Sequence, residues 1–226
     1  MKLRLILSLI LLLTFAAGAQ MLGPAIMSKP PSGGGGSFPV TAILDNTTRA
    51  DESPLSDGAK WTCPMYNGDA ALQLSTNQII RIGISDGDCY WNNATFGPKT
   101  EVYATVATVT GTGCIHLLLR GANPGLATLN GYIVQYCNLG SNQWDIYKIV
   151  SGTFTSIVTA SGTISSGDGI GFSATSTTLT GYKRVSGTWS STITVTDSTY
   201  TGAGNIGIHI EGSAFALTSI GGGTAP

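Results

Sequence analysis

Two places in this 226-residue chain concentrate side chains that could do chemistry. The first is Asp86-Gly87-Asp88, running into Cys89-Tyr90-Trp91-Asn92-Asn93. Carboxylates, amides and backbone carbonyls are the oxygen ligands that calcium gathers, about six to eight at a time. Asp86 and Asp88 are therefore the metal candidates, and Ca2+ is the ion they would take. Tyr90 and Trp91 offer flat apolar faces with a polar edge, suited to a sugar ring, and Asn93 adds an amide. The bland alternative is an Asp-Gly turn stapled by a disulfide, with Trp91 packed on the core; Asp-Gly more often merely turns a chain. The second place is His116 with Gln135, which strand pairing would bring beside it.

Catalytic constellations are missing. Glycosidases flank the scissile bond with two carboxyls, about 5–5.5 Å apart for retention and about 6.5–9.5 Å for inversion. The only glutamates are Glu52, Glu101 and Glu211, and they form no cluster. His116 and His209 lie far apart in strand-like runs, and a base needs partners within hydrogen-bond reach. The Gly-x-Ser-x-Gly elbow and zinc-peptidase spacing are both absent. The residues argue against an enzyme.

The elements that must position these residues are strands. The chain carries 31 glycines, and only 10% of its residues are charged, against about 25% typically. With a formal net charge of -1, it lacks the basic footprint that displaces counterions from nucleic acid. Lys2 and Arg4 followed by the apolar run 5–17 and Ala17-Gly18-Ala19 read as an export signal over 1–19. The run is too short to span a bilayer, which takes about 20 residues. No membrane span is expected once the signal is removed, and the product is expected outside the cell or at a surface. Residues 20–37, with Pro24, Pro30, Pro31 and Gly33 to Gly36, read as a flexible tether. From 38 to 226 the pattern is one domain of short runs rich in Val, Ile, Thr and Tyr between Gly, Asn, Asp and Ser, which is strand-and-turn grammar. Strands are expected at 40–45, 71–75, 78–84, 100–109, 114–120, 131–137, 144–150, 154–159, 169–175, 178–184, 191–196, 205–210 and 214–220. So many strands without a helix indicate an all-β sandwich or barrel. Trp61, Trp144, Trp189 and Tyr182 are expected to be buried rather than to face a ligand.

All four cysteines lie past the signal, so two disulfides are expected in an oxidising compartment, with three pairings open by count alone. The hairpin around Asn123-Pro124-Gly125 narrows them. If Cys114 opposes Cys137, then His116 faces Gln135 and Leu118 faces Ile133. One face then holds Ile115, Leu117, Leu119, Tyr132, Val134 and Tyr136, continuous and apolar, and should face the core. The other, mixed face should look outward or line a groove. Cys114 and Cys137 could then bond across the strands, leaving Cys63 with Cys89.

The run Asp45-Asn46-Thr47-Thr48-Arg49-Ala50-Asp51-Glu52, then Pro54-Leu55 and Trp61, resembles the opening of concanavalin A-like (laminin G-like) jelly-roll modules of secreted bacterial or phage-derived proteins. Leu118-Leu119-Arg120, Asn130-Gly131-Tyr132, Gly167-Asp168, Thr196-Asp197-Ser198 and Gly204-Asn205-Ile206-Gly207-Ile208 follow in matching order. Thr47 and Thr48 stand where such openings often carry an aromatic residue. The resemblance implies a two-sheet antiparallel β-sandwich whose terminal strands are neighbours. Its catalytic relatives carry an alternating acidic cluster on one strand, which this chain lacks. The resulting expectation is a non-catalytic exported module that recognises carbohydrate or another surface polymer. The alternatives are a virion or cell-surface decoration protein packed against neighbouring structural subunits and, behind it, a glycoside hydrolase.

Overall fold

A computed structural model describes residues 37–212 and 215–226. The expected signal over 1–19 and all but the last residue of the expected tether lie outside the described residues, as does Ala214 at the start of the last expected strand. Fifteen strands follow one another: β1 (Ile43–Asp45), β2 (Trp61–Thr62), β3 (Leu72–Ser75), β4 (Gln78–Arg81), β5 (Gly87–Trp91), β6 (Thr100–Val109), β7 (Cys114–Ala122), β8 (Asn130–Cys137), β9 (Gln143–Val150), β10 (Thr153–Ser161), β11 (Gly169–Thr175), β12 (Thr178–Val185), β13 (Thr188–Thr196), β14 (Asn205–Glu211) and β15 (Phe215–Thr224). They form two antiparallel sheets, and the described residues contain no helix. The first sheet runs β13-β12-β11-β6-β15-β4-β3, with β1 also paired to β15; the second runs β10-β9-β8-β7-β14-β5-β2.

Alternation along the strands builds the core between the sheets. From the second sheet, Ile115, Leu117 and Leu119 of β7, Tyr132, Val134 and Tyr136 of β8, and Ile206, Ile208 and Ile210 of β14 point inward. They meet Val102, Ala104 and Val106 of β6 and Ile170, Phe172 and Ala174 of β11. Each fully buried large side chain contributes about 1.5–3 kcal/mol of transfer free energy. The hairpin has the expected register: Cys114 opposes Cys137, His116 opposes Gln135 and Leu118 opposes Ile133. The disulfides are Cys114–Cys137 and Cys63–Cys89. The terminal strands are neighbours, Asp45 beside Ile220.

The run that carries the resemblance folds into a polar knot between β1 and β2. Asp45 is buried; its carboxylate accepts from Trp61 Nε1 at 2.9 Å, Thr47 N at 2.7 Å and Arg49 Nη1 at 2.6 Å. Glu52 accepts from Ser56 Oγ at 2.6 Å and also binds Arg49.

Three features depart from expectation. Gly87–Trp91 is not a loop but a strand between β14 and β2, and β2 itself gave no sequence signal. The mixed face of the β7–β8 hairpin is not open either. Leu118 and Ile133 are fully buried there in a second cluster with Met65, Leu129 and Ile149, because the segment after Cys63 folds over the sheet. Gly207 on β14 makes the room, since a Cβ there would stand 2.2 Å from Met65 Sδ. Finally, Trp61 and Trp144 are buried, but Trp189 and Tyr182 are only half-buried. On the outer face of the first sheet they clamp Phe38, which stacks on Tyr182 with centroids 3.9 Å apart and meets Trp189 edge-on at 5.0 Å. Gly171 is the seat, because a Cβ there would lie 2.5 Å from the Phe38 ring. The backbone N–H groups of Val40 and Thr41 donate to Glu101 Oε1 at 2.7 and 2.6 Å, fastening the same segment.

Candidate functional site

Successive strands of the second sheet place one polar residue each at the same level. Asp88 of β5 opposes His209 of β14, His209 opposes His116 of β7, and His116 opposes Gln135 of β8. Gln135 opposes Asp145 of β9, and Asp145 opposes Thr159 of β10. Period-two alternation sends the whole row to the outer face, away from the inter-sheet core.

The segment following Cys63 covers one end of this row. The Asp88 carboxylate is wholly buried and accepts from Met65 N at 2.5 Å and Tyr66 N at 2.9 Å. Tyr66 Oη lies 3.4 Å from His116 Nδ1. The two imidazoles stack with centroids 4.3 Å apart and planes 19° from parallel. His209 Nδ1 stands 3.4 Å from Asp69 Oδ2 and 3.7 Å from Asp88 Oδ2, within ion-pair range but without a well-formed hydrogen bond. At the other end Asp145 accepts from Thr159 Oγ1 at 2.6 Å and Gln143 Nε2 at 2.8 Å.

The charges follow from burial and neighbours. Burial works against a charged His209, but the Asp69 and Asp88 carboxylates outweigh it and hold the ring's pKa at about 9. Burial, and then the neighbouring His209 charge, push His116 well below its ordinary value and keep it neutral. Burial raises the Asp88 carboxyl even though His209 and the Met65 and Tyr66 amides pull the other way. Burial raises the Tyr66 phenol, with Asp88 and Asp69 adding to it.

Beside the covered row is a small pocket of about 230 Å3, lined by Tyr66, Asn67, Leu126, Leu129, Gly152 and Phe154. Tyr66 and Phe154 meet edge to face, centroids 5.3 Å apart. Phe154 is 42% and Leu126 57% exposed, so both present apolar surface to solvent. Pockets for drug-sized ligands run to roughly 300–1,000 Å3; this one suits a single ring.

The residues singled out in the sequence are distributed unevenly around this site. Asp88, His116 and Gln135, anticipated as parts of two patches, share one row. Tyr90 is on the same face, opposite Gly207, half-buried against the second cluster. Asp86 is half-buried and accepts from Gly212 N at 3.1 Å. Trp91 turns the other way, into the core, edge-on to Trp61 at 5.2 Å, and Asn93 is exposed beyond the strand end. Tyr66, Asp69, Asp145, Phe154 and the partnership of His209 were not anticipated. One signal was available. A Cys63–Cys89 bond must lay Tyr66-Asn67-Gly68-Asp69 alongside β5.

Ligating oxygens of Asp69 and Asp88 lie within 4.8 Å of each other, closer than the carboxyl groups of a retaining glycosidase, about 5–5.5 Å apart. Asp88 is nonetheless buried beneath Tyr66 with both oxygens holding backbone amides, so the pair does not flank an open groove. Among the described residues no helix is long and apolar enough to cross a membrane.

No protein-family model matches the sequence, and no curated protein matches it. Solved structures do match in shape. The carbohydrate-binding module CBM66 from Bacillus subtilis is 14% identical, with a TM-score of 0.54 over 75% of this chain and 98% of that one. The exoplasmic/lumenal domain of VIP36 in its Ca2+/Man3GlcNAc-bound form is 12% identical, with a TM-score of 0.54 over 73% of this chain and 83% of that one. A Bacillus subtilis protein of unknown function with a galectin-like fold is also 12% identical, with a TM-score of 0.55 over 80% and 96%. At such identities the likeness is one of fold alone, and the fold of this sandwich is concanavalin A-like.

Proposed function

We propose that this chain is an exported, non-catalytic module that binds a neutral glycan or a similar surface polymer through the Tyr66–Phe154 pocket. The observation that carries the proposal is an aromatic-walled, ring-sized pocket with Asn67 in its lining, on a sandwich shaped like carbohydrate-binding modules and lectins. Sugar rings stack their apolar faces on aromatic side chains, while their hydroxyls need amide and backbone partners. The low charge suits an uncharged ligand, since there is little field to steer an ion. Two disulfides fit an oxidising compartment.

Polysaccharide pull-downs and a glycan array with the purified chain test this, run with calcium and with EDTA because VIP36 was solved with Ca2+ bound. Retention on at least one polymer is expected. Phe154→Ala should weaken it about tenfold, from roughly 1.4 kcal/mol of lost aromatic contact. If no polymer is retained, or Phe154→Ala binds as tightly as the parent, the proposal fails.

A further inference from the structure

We propose that Asp69, Asp88 and His209 form a binding site for a divalent transition-metal ion of the zinc type. Their three ligating atoms lie within 4.8 Å of one another. The ring of His209 is 5% exposed, and its Nδ1 is buried with no hydrogen-bond partner while pointing at both carboxylates. A buried polar nitrogen without a hydrogen-bond partner is destabilising; an ion between the three groups would use it.

The distances suit zinc. Ligands about 2.0–2.1 Å from a tetrahedral ion lie about 3.3–3.4 Å apart. His209 Nδ1 is 3.4 Å from Asp69 Oδ2 and 3.7 Å from Asp88 Oδ2. Calcium would require about six to eight oxygens at about 2.3–2.6 Å, whereas this cluster offers two carboxylates and one nitrogen. An ion bound at Nδ1 takes the place of the His209 proton, and the two carboxylates then supply two negative charges that a divalent ion cancels. The supporting contacts are also in place. Met65 N and Tyr66 N hold the Asp88 carboxylate in position, and His116 stacks on the ligand ring; such outer contacts fix ligand orientation. The Asp69 side chain is 30% exposed, which provides the way in and leaves the fourth position to water.

The test uses the untagged chain, stripped with EDTA, dialysed against zinc chloride and assayed by elemental analysis, with cobalt(II) as a spectroscopic probe. One ion per chain and the visible absorption of four-coordinate cobalt are expected. Asp69 is half-buried at the rim, so Asp69→Asn should fold normally and bind zinc at least about tenfold more weakly; His209→Gln should lose the cobalt spectrum. Sub-stoichiometric zinc, retention that both variants leave unchanged, or calcium binding as tightly as zinc would overturn the inference. A chain that binds zinc and no glycan would leave this site standing while removing the proposed function.

Discussion

The His209 ring sets a pH dependence of stability that can be worked out in advance. Its neighbours are Asp88 on β5, His116 on β7, and Tyr66 and Asp69 on the covering segment. Burial opposes the charge, but the two carboxylates hold the pKa at about 9 against an ordinary 6.5. A raised histidine pKa contributes stability that is fully present below pH 6.5 and is lost as the pH rises through about 9. At about 1.4 kcal/mol per pH unit, the difference is about 3 kcal/mol. His116 has the opposite sign: its pKa is depressed, so its neutral ring costs stability as the pH falls below 6.5, where the unfolded ring takes up a proton. Together they place the stability maximum near neutrality. The assay is urea unfolding followed by tryptophan fluorescence from pH 5.5 to 9.5, with EDTA present to keep the cluster metal-free. The midpoint should fall steadily on the alkaline side in the parent chain. It should fall less in Asp69→Asn, which removes one of the two carboxylates. A parent chain equally stable at pH 6.5 and 9, or an Asp69→Asn profile that superimposes on the parent's, would refute the electrostatic account.

Other perturbations have direct readouts. Replacing Cys114 and Cys137 together by serine opens a loop 23 residues long and should cost about 3 kcal/mol in the chain-entropy model, read from the urea midpoint. Gly207→Val should overpack the Met65 thioether and cost about 1–3 kcal/mol, measured in the same way, whereas Gly202→Ala, with open space around it, should change little. Phe38→Ala removes a half-buried ring and should cost about 2 kcal/mol, below the roughly 3–5 kcal/mol of a fully buried phenylalanine. Limited proteolysis should then cleave ahead of Thr41 sooner than in the parent.

The hairpin of β7 and β8 was legible because its two faces differ so sharply. Six apolar residues on one side and two cysteines that can oppose each other on the other select one register. The strand Gly87–Trp91 was not legible, since Asp86-Gly87-Asp88 has the composition of a turn and only the neighbouring β14 and β2 make it a strand. The pairing of His209 with His116 was invisible for a related reason. It needs β14 to insert between β5 and β7, a long-range choice that no local pattern encodes. Alternation correctly predicted that His116 and Gln135 leave the core, but it could not say what lies above them. The short segment from Met65 to Asp69 reaches across and buries a face that polar composition alone would leave wet. The resemblance carried by Asp45, Arg49, Glu52 and Trp61 conveyed the architecture, and those residues tie the segment between β1 and β2 together.

The seating of Phe38 has a mechanical consequence. The chain enters the sandwich on the outside of one sheet, whereas Tyr66 and Phe154 open on the outside of the other. A load applied through residues ahead of Phe38 is therefore carried first by the stacked rings and by the two amides on Glu101. The Tyr66–Phe154 pocket lies on the opposite side of the sandwich from the place where such a load would enter.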